Sequence, residues 1–203
     1  DSLKLYYVTS ELTPFSETYS LSDFSRRFCS ILHQKEGVDI RLAKPKFGFI
    51  SERKYILREV IRLKEMPINF NGIEKLVNMK SAFIPETRVQ VYFIEDENYF
   101  KTLPELLYKA RNGRIFKDND ERYAFFSRVA LDTLKNLFWA PDVILCNDWQ
   151  MSFIPQLLRD QYQENDFYKN IKTAFVIHSL DDFRFFTKES YEMLGLKNPE
   201  NTK

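Results

Sequence analysis

The stretch LKLYYVTSELTPFSETYSLSDFSRRF, residues 3–28, predicts a strand, a loop and a helix in that order. Its first eight residues are apolar and rich in residues that favour strands, which indicates a buried strand. A helix is expected from Ser22, because the apolar residues around it recur at helical spacing. That predicted apolar face consists of Leu21, Phe24, Phe28, Ile31 and Leu32. Junctions of this kind often carry a glycine-rich turn that binds a phosphate or sugar, yet residues 17–23 contain no glycine.

The rest of the chain continues the alternation of strands and helices. Further strands are expected at 38–45, 88–96, 141–148 and 171–179, and helices at 118–138 and 149–163. Residues 56–84 instead alternate in the manner of strands, and Asn71-Gly72 predicts a hairpin turn within them. Residues from about 102 to 120 read as irregular, and the tail from Phe185 as partly helical.

This order of elements predicts an α/β fold. Strands that alternate with helices form right-handed crossovers and a mostly parallel sheet. We therefore expect a Rossmann-like sheet with helices on both faces and a β-hairpin-rich insertion. Residues 1–203 are expected to form a single domain, since the chain has an ordinary length for one domain and lacks a composition typical of a linker.

Composition narrows the classes of partner. Lys and Arg number 30 against 29 Asp and Glu, so nucleic acid and membrane surfaces are not expected partners. No apolar run is long enough to span a membrane, and no signal peptide opens the sequence. Cys29 and Cys146 lie far apart and only two histidines are present, so we expect no metal site and two buried thiols in a reducing compartment. The cytoplasm is the expected location.

Polar residues lie at the carboxyl ends of three of the predicted strands. They are Thr9-Ser10-Glu11, Asn147-Asp148-Trp149 and His178-Ser179. In open parallel sheets, ligands bind beyond the carboxyl ends of the strands. These three strand ends are therefore the predicted binding site.

Six blocks of sequence, in order, resemble the glycogen and starch synthases that use ADP-glucose. VTSELTPFSETYSLSDF is similar to that family's opening strand with S-E-x-x-P-F and K-x-G-G-L-x-D, and RLAKPKFGFI to its second strand and P-x-Y-G turn. VYFIEDENYF resembles a strand that leads to a Tyr-Phe pair, and DNDERYAFFSRVALDTLK the helix D-N-x-x-R-F-x-x-F-x-x-A. WAPDVILCNDWQMSFIPQLL resembles the block that contains H-x-H-D-W, and KTAFVIHSL the block that ends in I-H-N-L.

The resemblance implies the N-terminal lobe of a two-lobed glycosyltransferase of the GT-B type. Enzymes of that family transfer glucose from ADP-glucose to the end of an α-1,4-glucan with retention, and they use no metal or other cofactor. The N-terminal lobe binds the glucan acceptor and contacts the donor sugar, while the second lobe holds most of the nucleotide. By this resemblance, the partners are an α-glucan, ADP-glucose, and a second lobe or an active synthase.

The opening loop departs from the family pattern. Glu17 replaces the family lysine, Tyr19 and Ser20 replace two adjacent glycines, and Ser22 replaces a third. A glutamate repels the donor diphosphate that a lysine would attract, and a tyrosine adds bulk where backbone amides approach a ligand. Asp23 matches the family aspartate, so it is either a substrate contact or a helix cap.

The resemblance assigns further roles at the other strand ends. It makes His178 and Asp148 the candidate catalytic residues, with Asn147 and Ser179 at positions that hold histidine and asparagine in the family. His178 is alternatively an ordinary buried histidine, and Asp148 the N-cap of the following helix. Tyr99 matches a family tyrosine near the cleft, and core packing explains it equally well.

Three functions remain open at the level of sequence. The chain is the lobe of a glucosyltransferase, although the altered loop makes activity of this chain alone doubtful. Alternatively, it is a non-catalytic relative that binds glucan or docks on an active synthase as a regulator. A third hypothesis is a diverged transferase that uses another donor.

Overall fold

The computed structural model describes residues 1–101, 108–182 and 186–197. The strands of these residues are β1 Leu3–Val8, β2 Val38–Pro45, β3 Arg58–Glu59, β4 Met66–Phe70, β5 Ile73–Val77, β6 Met79–Phe83, β7 Gln90–Ile94, β8 Val143–Asn147 and β9 Lys172–Val176. The α-helices are α1 Leu21–His33, α2 Glu52–Tyr55, α3 Asn119–Asn136, α4 Phe153–Leu157 and α5 Lys188–Met193. The predicted strands all form, within a few residues of their expected ends.

Seven strands build the main sheet in the order β3-β6-β7-β2-β1-β8-β9. The five from β7 to β9 run parallel, and β6 and β3 are added antiparallel at one edge. The chain builds outward from β1 to β2 and β7, and later returns to the other side of β1 at β8. This reversal creates a crevice at the carboxyl ends of β1 and β8, which is where open α/β sheets bind ligands. The expected Rossmann-like fold class is confirmed.

Two adjacent tyrosines of β1 show that helices cover both faces of the sheet. Side chains alternate along a strand, so Tyr6 and Tyr7 point to opposite sides. The Tyr6 hydroxyl donates to the carbonyl of Ala130 in α3 at 3.0 Å, and the Tyr7 hydroxyl lies 2.9 Å from Ser25 Oγ in α1. Therefore α1 and α3 pack on opposite faces, as the alternating pattern predicted.

The predicted buried face of α1 is partly wrong. The residues of α1 that are buried are Leu21, Ser22, Ser25 and Cys29. Phe24 and Ile31, which were expected on the buried face, are 43% and 56% exposed. The strand beneath α1 carries the bulky Tyr7 ring. Small side chains such as Ser25 therefore face the sheet, because they let the helix backbone lie close over that ring.

The insertion between β2 and β7 is the predicted run of strands. Its hairpin turns at Asn71 and Gly72, whose φ angles of 54° and 73° are those that a two-residue turn with the twist of the strands requires. The hairpin packs on α3, where the rings of Phe70 and Phe125 lie 5.5 Å apart. The insertion thus covers one face of α3 while β6 and β3 extend the main sheet.

The predicted helix at 149–163 forms in three pieces. A 3₁₀ turn at Trp149–Met151 comes first, α4 follows, and a π-helical turn at Leu158–Tyr162 comes last. Part of the segment predicted to be irregular, 102–107, lies outside the described residues, as do 183–185 and 198–203 at the tail. Within the part of the chain that is described, no helix combines the length and the apolar character that crossing a bilayer requires.

Candidate functional site

The loops that follow β1, β8 and β9 meet at the carboxylate of Asp148. The Tyr19 hydroxyl donates to Asp148 Oδ2 at 2.7 Å, and the backbone N–H of His178 donates to Oδ1 at 3.1 Å. Asp148 is only 1% exposed, so these two donors provide hydrogen bonds that water would otherwise provide to the carboxylate. The strand ends that the sequence singled out are therefore brought together in one place.

The backbone of Asp148 adopts a conformation that side chains disfavour. Its φ and ψ are 67° and 177°, a region used almost entirely by glycine, and a non-glycine residue there costs about 1–3 kcal/mol. The N–H of Asp148 donates to the carbonyl of Val176 at 2.8 Å, which continues the pairing of β8 with β9. Its side chain makes no cap bond to the turn at Trp149–Met151, so the alternative of a helix N-cap does not apply.

Asn147 fixes the orientation of the His178 ring. Its amide nitrogen donates to the carbonyls of Val8 at 3.0 Å and Leu145 at 3.1 Å. Asn147 Oδ1 therefore accepts, and His178 Nε2 lies 2.8 Å from it. A donor at Nε2 makes Nδ1 the unprotonated nitrogen of the neutral ring, an assignment that rests on this network of hydrogen bonds.

His178 is half-buried beneath an aromatic ring. The ring of Phe24 lies 4.8 Å from that of His178, with a 57° angle between the planes. Burial lowers the pKa of His178 and the nearby Asp148 charge opposes that shift, so the neutral ring is favoured near pH 7. Sequence reasoning missed Phe24, because helical spacing placed it on the buried face.

Glu11 lies buried beneath the loop that precedes α1. The N–H of Thr18 donates to its Oε1 at 2.9 Å and the N–H of Tyr19 to its Oε2 at 3.0 Å, while the Thr18 hydroxyl also donates to Oε1. Burial raises the Glu11 pKa to about 7, although these donors and the charge of Lys44 act against the rise. The loop amides that a phosphate would need thus bond to a carboxylate of the chain itself.

Lys44 is a second buried ionisable group near this loop. It is the penultimate residue of β2, and its Nζ donates to the carbonyl of Pro45 at 2.8 Å and lies 4.8 Å from the centre of the Phe47 ring. Burial lowers the Lys44 pKa to about 7, with the charge of Glu11 acting in the opposite direction. Sequence reasoning did not single out this lysine, because its neighbours indicate only a strand.

Two polar side chains beside the site are buried without a hydrogen-bond partner among the described residues. They are Ser10, through its Oγ, and Gln150, through both amide atoms. Each is fully buried, and each follows a strand that forms the crevice. The Gln150 amide lies close enough to the Tyr19 hydroxyl to reduce the rise in the Tyr19 pKa that burial causes. Unpaired buried groups are uncommon and tend to mark functional sites.

The other candidates of the opening loop do not contact Asp148 through any described hydrogen bond. Glu17 and Ser20 are exposed. Asp23 is exposed too, and its carboxylate pairs with Arg27 at 3.0 Å, one helical turn later. Asp23 thus neither caps α1 nor reaches Asp148. Ser179 Oγ accepts the N–H of Asp181 at 3.1 Å, which shapes the loop after β9.

Tyr99 belongs to a different cluster. Its hydroxyl donates to Glu121 Oε1 at 2.6 Å, and its ring packs 5.0 Å from that of Phe125. This arrangement agrees with the alternative of core packing. Trp149, which was expected at the binding site with Asn147 and Asp148, is buried and packs edge-on against Tyr108 and Tyr123.

Comparisons with known proteins agree with the fold. A family model for the starch synthase catalytic domain matches residues 4–203. The glycogen synthase of Chlorobium phaeobacteroides is 37% identical over 179 residues, which cover 88% of this chain and 36% of that protein. The glycogen synthase of Chlorobium luteolum is 38% identical over 176 residues, with 87% and 36% covered.

A solved structure is also similar. It is the catalytic domain of starch synthase IV from Arabidopsis thaliana bound to ADP and acarbose, with a TM-score of 0.83 and 20% sequence identity. The match covers 100% of this chain and 39% of that one. The chain therefore spans about 36% of the length of the curated relatives it matches. With the family model aligned to nearly all of its length, the chain belongs to the starch synthase catalytic-domain family.

Proposed function

We propose that residues 1–203 form one lobe of a glucosyltransferase that moves glucose from ADP-glucose to the end of an α-1,4-glucan with retention. Membership of the family supports this proposal. The observation that carries it is the convergence of Asp148, Asn147 and His178 at the crevice between β1 and β8. A second lobe, on the same polypeptide or on another, would hold most of the nucleotide.

In this proposal the lobe orients sugar hydroxyls. Asp148 accepts a hydrogen bond from one sugar hydroxyl at Oδ2, and His178 accepts one from another at Nδ1, with its ring held in place by Asn147. Such hydrogen bonds hold donor and acceptor in a reactive orientation. The entropy of orientation is then lost on binding, and little more is lost in the transition state. No metal or other cofactor is proposed. The cytoplasm is the proposed location, in agreement with two buried free thiols, Cys29 and Cys146.

A second candidate is a relative that binds glucan without transferring glucose. Three features of the loop favour it. The Tyr19 hydroxyl donates a hydrogen bond to Asp148. Glu11 accepts hydrogen bonds from the backbone N–H groups of Thr18 and Tyr19. Glu17 places a negative charge where the family has a lysine. A diphosphate would meet carboxylates in this loop and would lose affinity through charge repulsion.

Calorimetric titration of the chain with ADP-glucose and with maltoheptaose separates the two candidates. The transferase proposal expects binding of both, with donor binding weakened at least about tenfold in His178→Ala. His33→Ala is the matched control, because that histidine is exposed on the far end of α1. Binding of maltoheptaose alone supports the second candidate, and binding of neither sugar contradicts both.

A further inference from the structure

The structure assigns to Tyr19 the role of an internal occupant of the sugar site: its phenol holds Asp148 in place of a sugar hydroxyl and must leave before a neutral polyhydroxyl ligand binds there. This inference rests on the proposed function, since it takes Asp148 as a sugar contact.

The first argument is the geometry of the contact. The Tyr19 hydroxyl is 2.7 Å from Asp148 Oδ2, the expected length for a hydroxyl that donates to a carboxylate. The other oxygen already accepts the N–H of His178. A ligand hydroxyl that approaches Oδ2 therefore meets the phenol first. The exchange replaces one neutral O–H donor by another, so it leaves the charge of the site unchanged.

The second argument is the buried polar surface around the phenol. Neither amide atom of Gln150 has a partner at normal hydrogen-bond length in the described part of the chain, and only a weaker hydrogen bond joins Gln150 to the Tyr19 hydroxyl. Ser10 Oγ is likewise buried and has no partner among the described residues, and Ser10 precedes the Glu11 that accepts the Tyr19 N–H. A tyrosine offers a single hydroxyl to this surface, whereas a sugar offers several. The surface is therefore better matched to a polyhydroxyl ligand than to the side chain that covers it.

The third argument limits the class of ligand. Asp148 and Glu11 are carboxylates, and Glu11 already takes the amides of Thr18 and Tyr19. An anion at this place would gain no free amide from those two residues and would face Asp148 directly. Hydroxyl donors suffer no such penalty. The ligand that displaces Tyr19 is thus a neutral sugar, such as the end of a glucan, rather than a phosphate.

Tyr19→Ala tests the inference. We expect it to bind maltose at least about tenfold more tightly than the unaltered chain, because the sugar no longer competes with the phenol. Tyr19→Phe keeps the ring but removes the hydroxyl, and should give a smaller gain. Tyr191→Ala is the control, because Tyr191 is also half-buried but lies on α5. This variant should bind maltose as the unaltered chain does.

A second ligand makes the result decisive. The compound p-cresol has the shape of the tyrosine side chain, so it should bind Tyr19→Ala, raise its melting temperature and compete with maltose. Equal maltose affinity in the unaltered chain and Tyr19→Ala, with weaker binding in His178→Ala, would overturn the inference and leave the proposed function standing. If no variant binds maltose while p-cresol stabilises Tyr19→Ala, both the inference and the assignment of Asp148 to sugar are wrong.

Discussion

One carboxylate oxygen of Asp148 accepts the backbone N–H of His178 at 3.1 Å, and so joins the loop after β8 to the loop after β9. The two residues lie 30 positions apart in sequence. The contact is possible because β8 and β9 are parallel neighbours whose carboxyl ends lie at the same edge of the sheet. The contact therefore holds Asp148 and His178 side by side at the crevice.

The strained backbone of Asp148 predicts an unusual order of stability among its variants. Asp148→Ala keeps the disfavoured φ of 67° and leaves two partly buried donors, the Tyr19 hydroxyl and the His178 N–H, without an acceptor. The free energy of unfolding should therefore fall by about 1–3 kcal/mol. Asp148→Gly loses the same bonds but adopts the conformation freely, and should be more stable than Asp148→Ala by about 1–3 kcal/mol.

Urea denaturation of the two variants measures this difference. Greater stability of the alanine variant would show that the backbone conformation at 148 carries no strain.

The pKa of His178 should respond to Phe24. Burial lowers this pKa, and the Phe24 ring contributes to that burial. In Phe24→Ala the pKa of His178 should therefore rise towards the ordinary value for histidine. Proton NMR titration measures it directly, with the second histidine signal assigned through His33→Gln. Ile31→Ala, an exposed apolar residue on the same helix, is the control and should leave the His178 pKa unchanged.

Glu11 should make the chain less stable as the pH rises from about 4.5 to about 7. Its pKa in the folded chain is raised to about 7, so the folded state binds more protons than the unfolded state in this interval. Its contribution to stability is then full at low pH and is lost as the pH rises. Glu11→Gln should flatten that part of the profile of unfolding free energy against pH. Glu17→Gln, at an exposed glutamate, should not.

Lys44 should have the opposite effect above neutral pH. Its pKa falls to about 7 in the folded chain, so between about 7 and 10.5 the unfolded state binds more protons and stability rises with pH. Lys44→Met should remove that rise. Lys46 also acts on this pKa, so Lys46→Met should change the profile only slightly. Guanidine unfolding at pH 5, 7 and 9 gives the free energy of unfolding of each variant. If this free energy rose with pH equally in Lys44→Met and in the unaltered chain, Lys44 would not be the group responsible.

Gly48 should tolerate no side chain. A Cβ at this position would lie only 2.0 Å from the backbone carbonyl oxygen of Lys101, and a backbone atom cannot move aside as a flexible side chain can. Gly48→Ala should therefore cost about 2 kcal/mol or more of stability. Gly37→Ala is the comparison, because its site is open and only its positive φ of 78° opposes a side chain, at about 1 kcal/mol. Thermal melts of both variants give the order.

Much of the fold was predictable from local pattern. The strand at 38–45 was predicted with its observed ends, and the turn at Asn71-Gly72 was predicted from two residues. The burial of α1 was not, because helical spacing identifies an apolar stripe without revealing how much room the sheet leaves beneath it. Phe24 was therefore assigned to the core, whereas the structure places it over His178.

The sequence by itself determined the elements, their order and the family, since each depends on residues close together along the chain. Only the tertiary structure decided what the loop before α1 does. Glu11 beneath the loop amides, the Tyr19 hydroxyl on Asp148, and Lys44 buried nearby are contacts between different strand ends. Such contacts depend on which strands become neighbours, and that arrangement follows from the packing of the whole sheet.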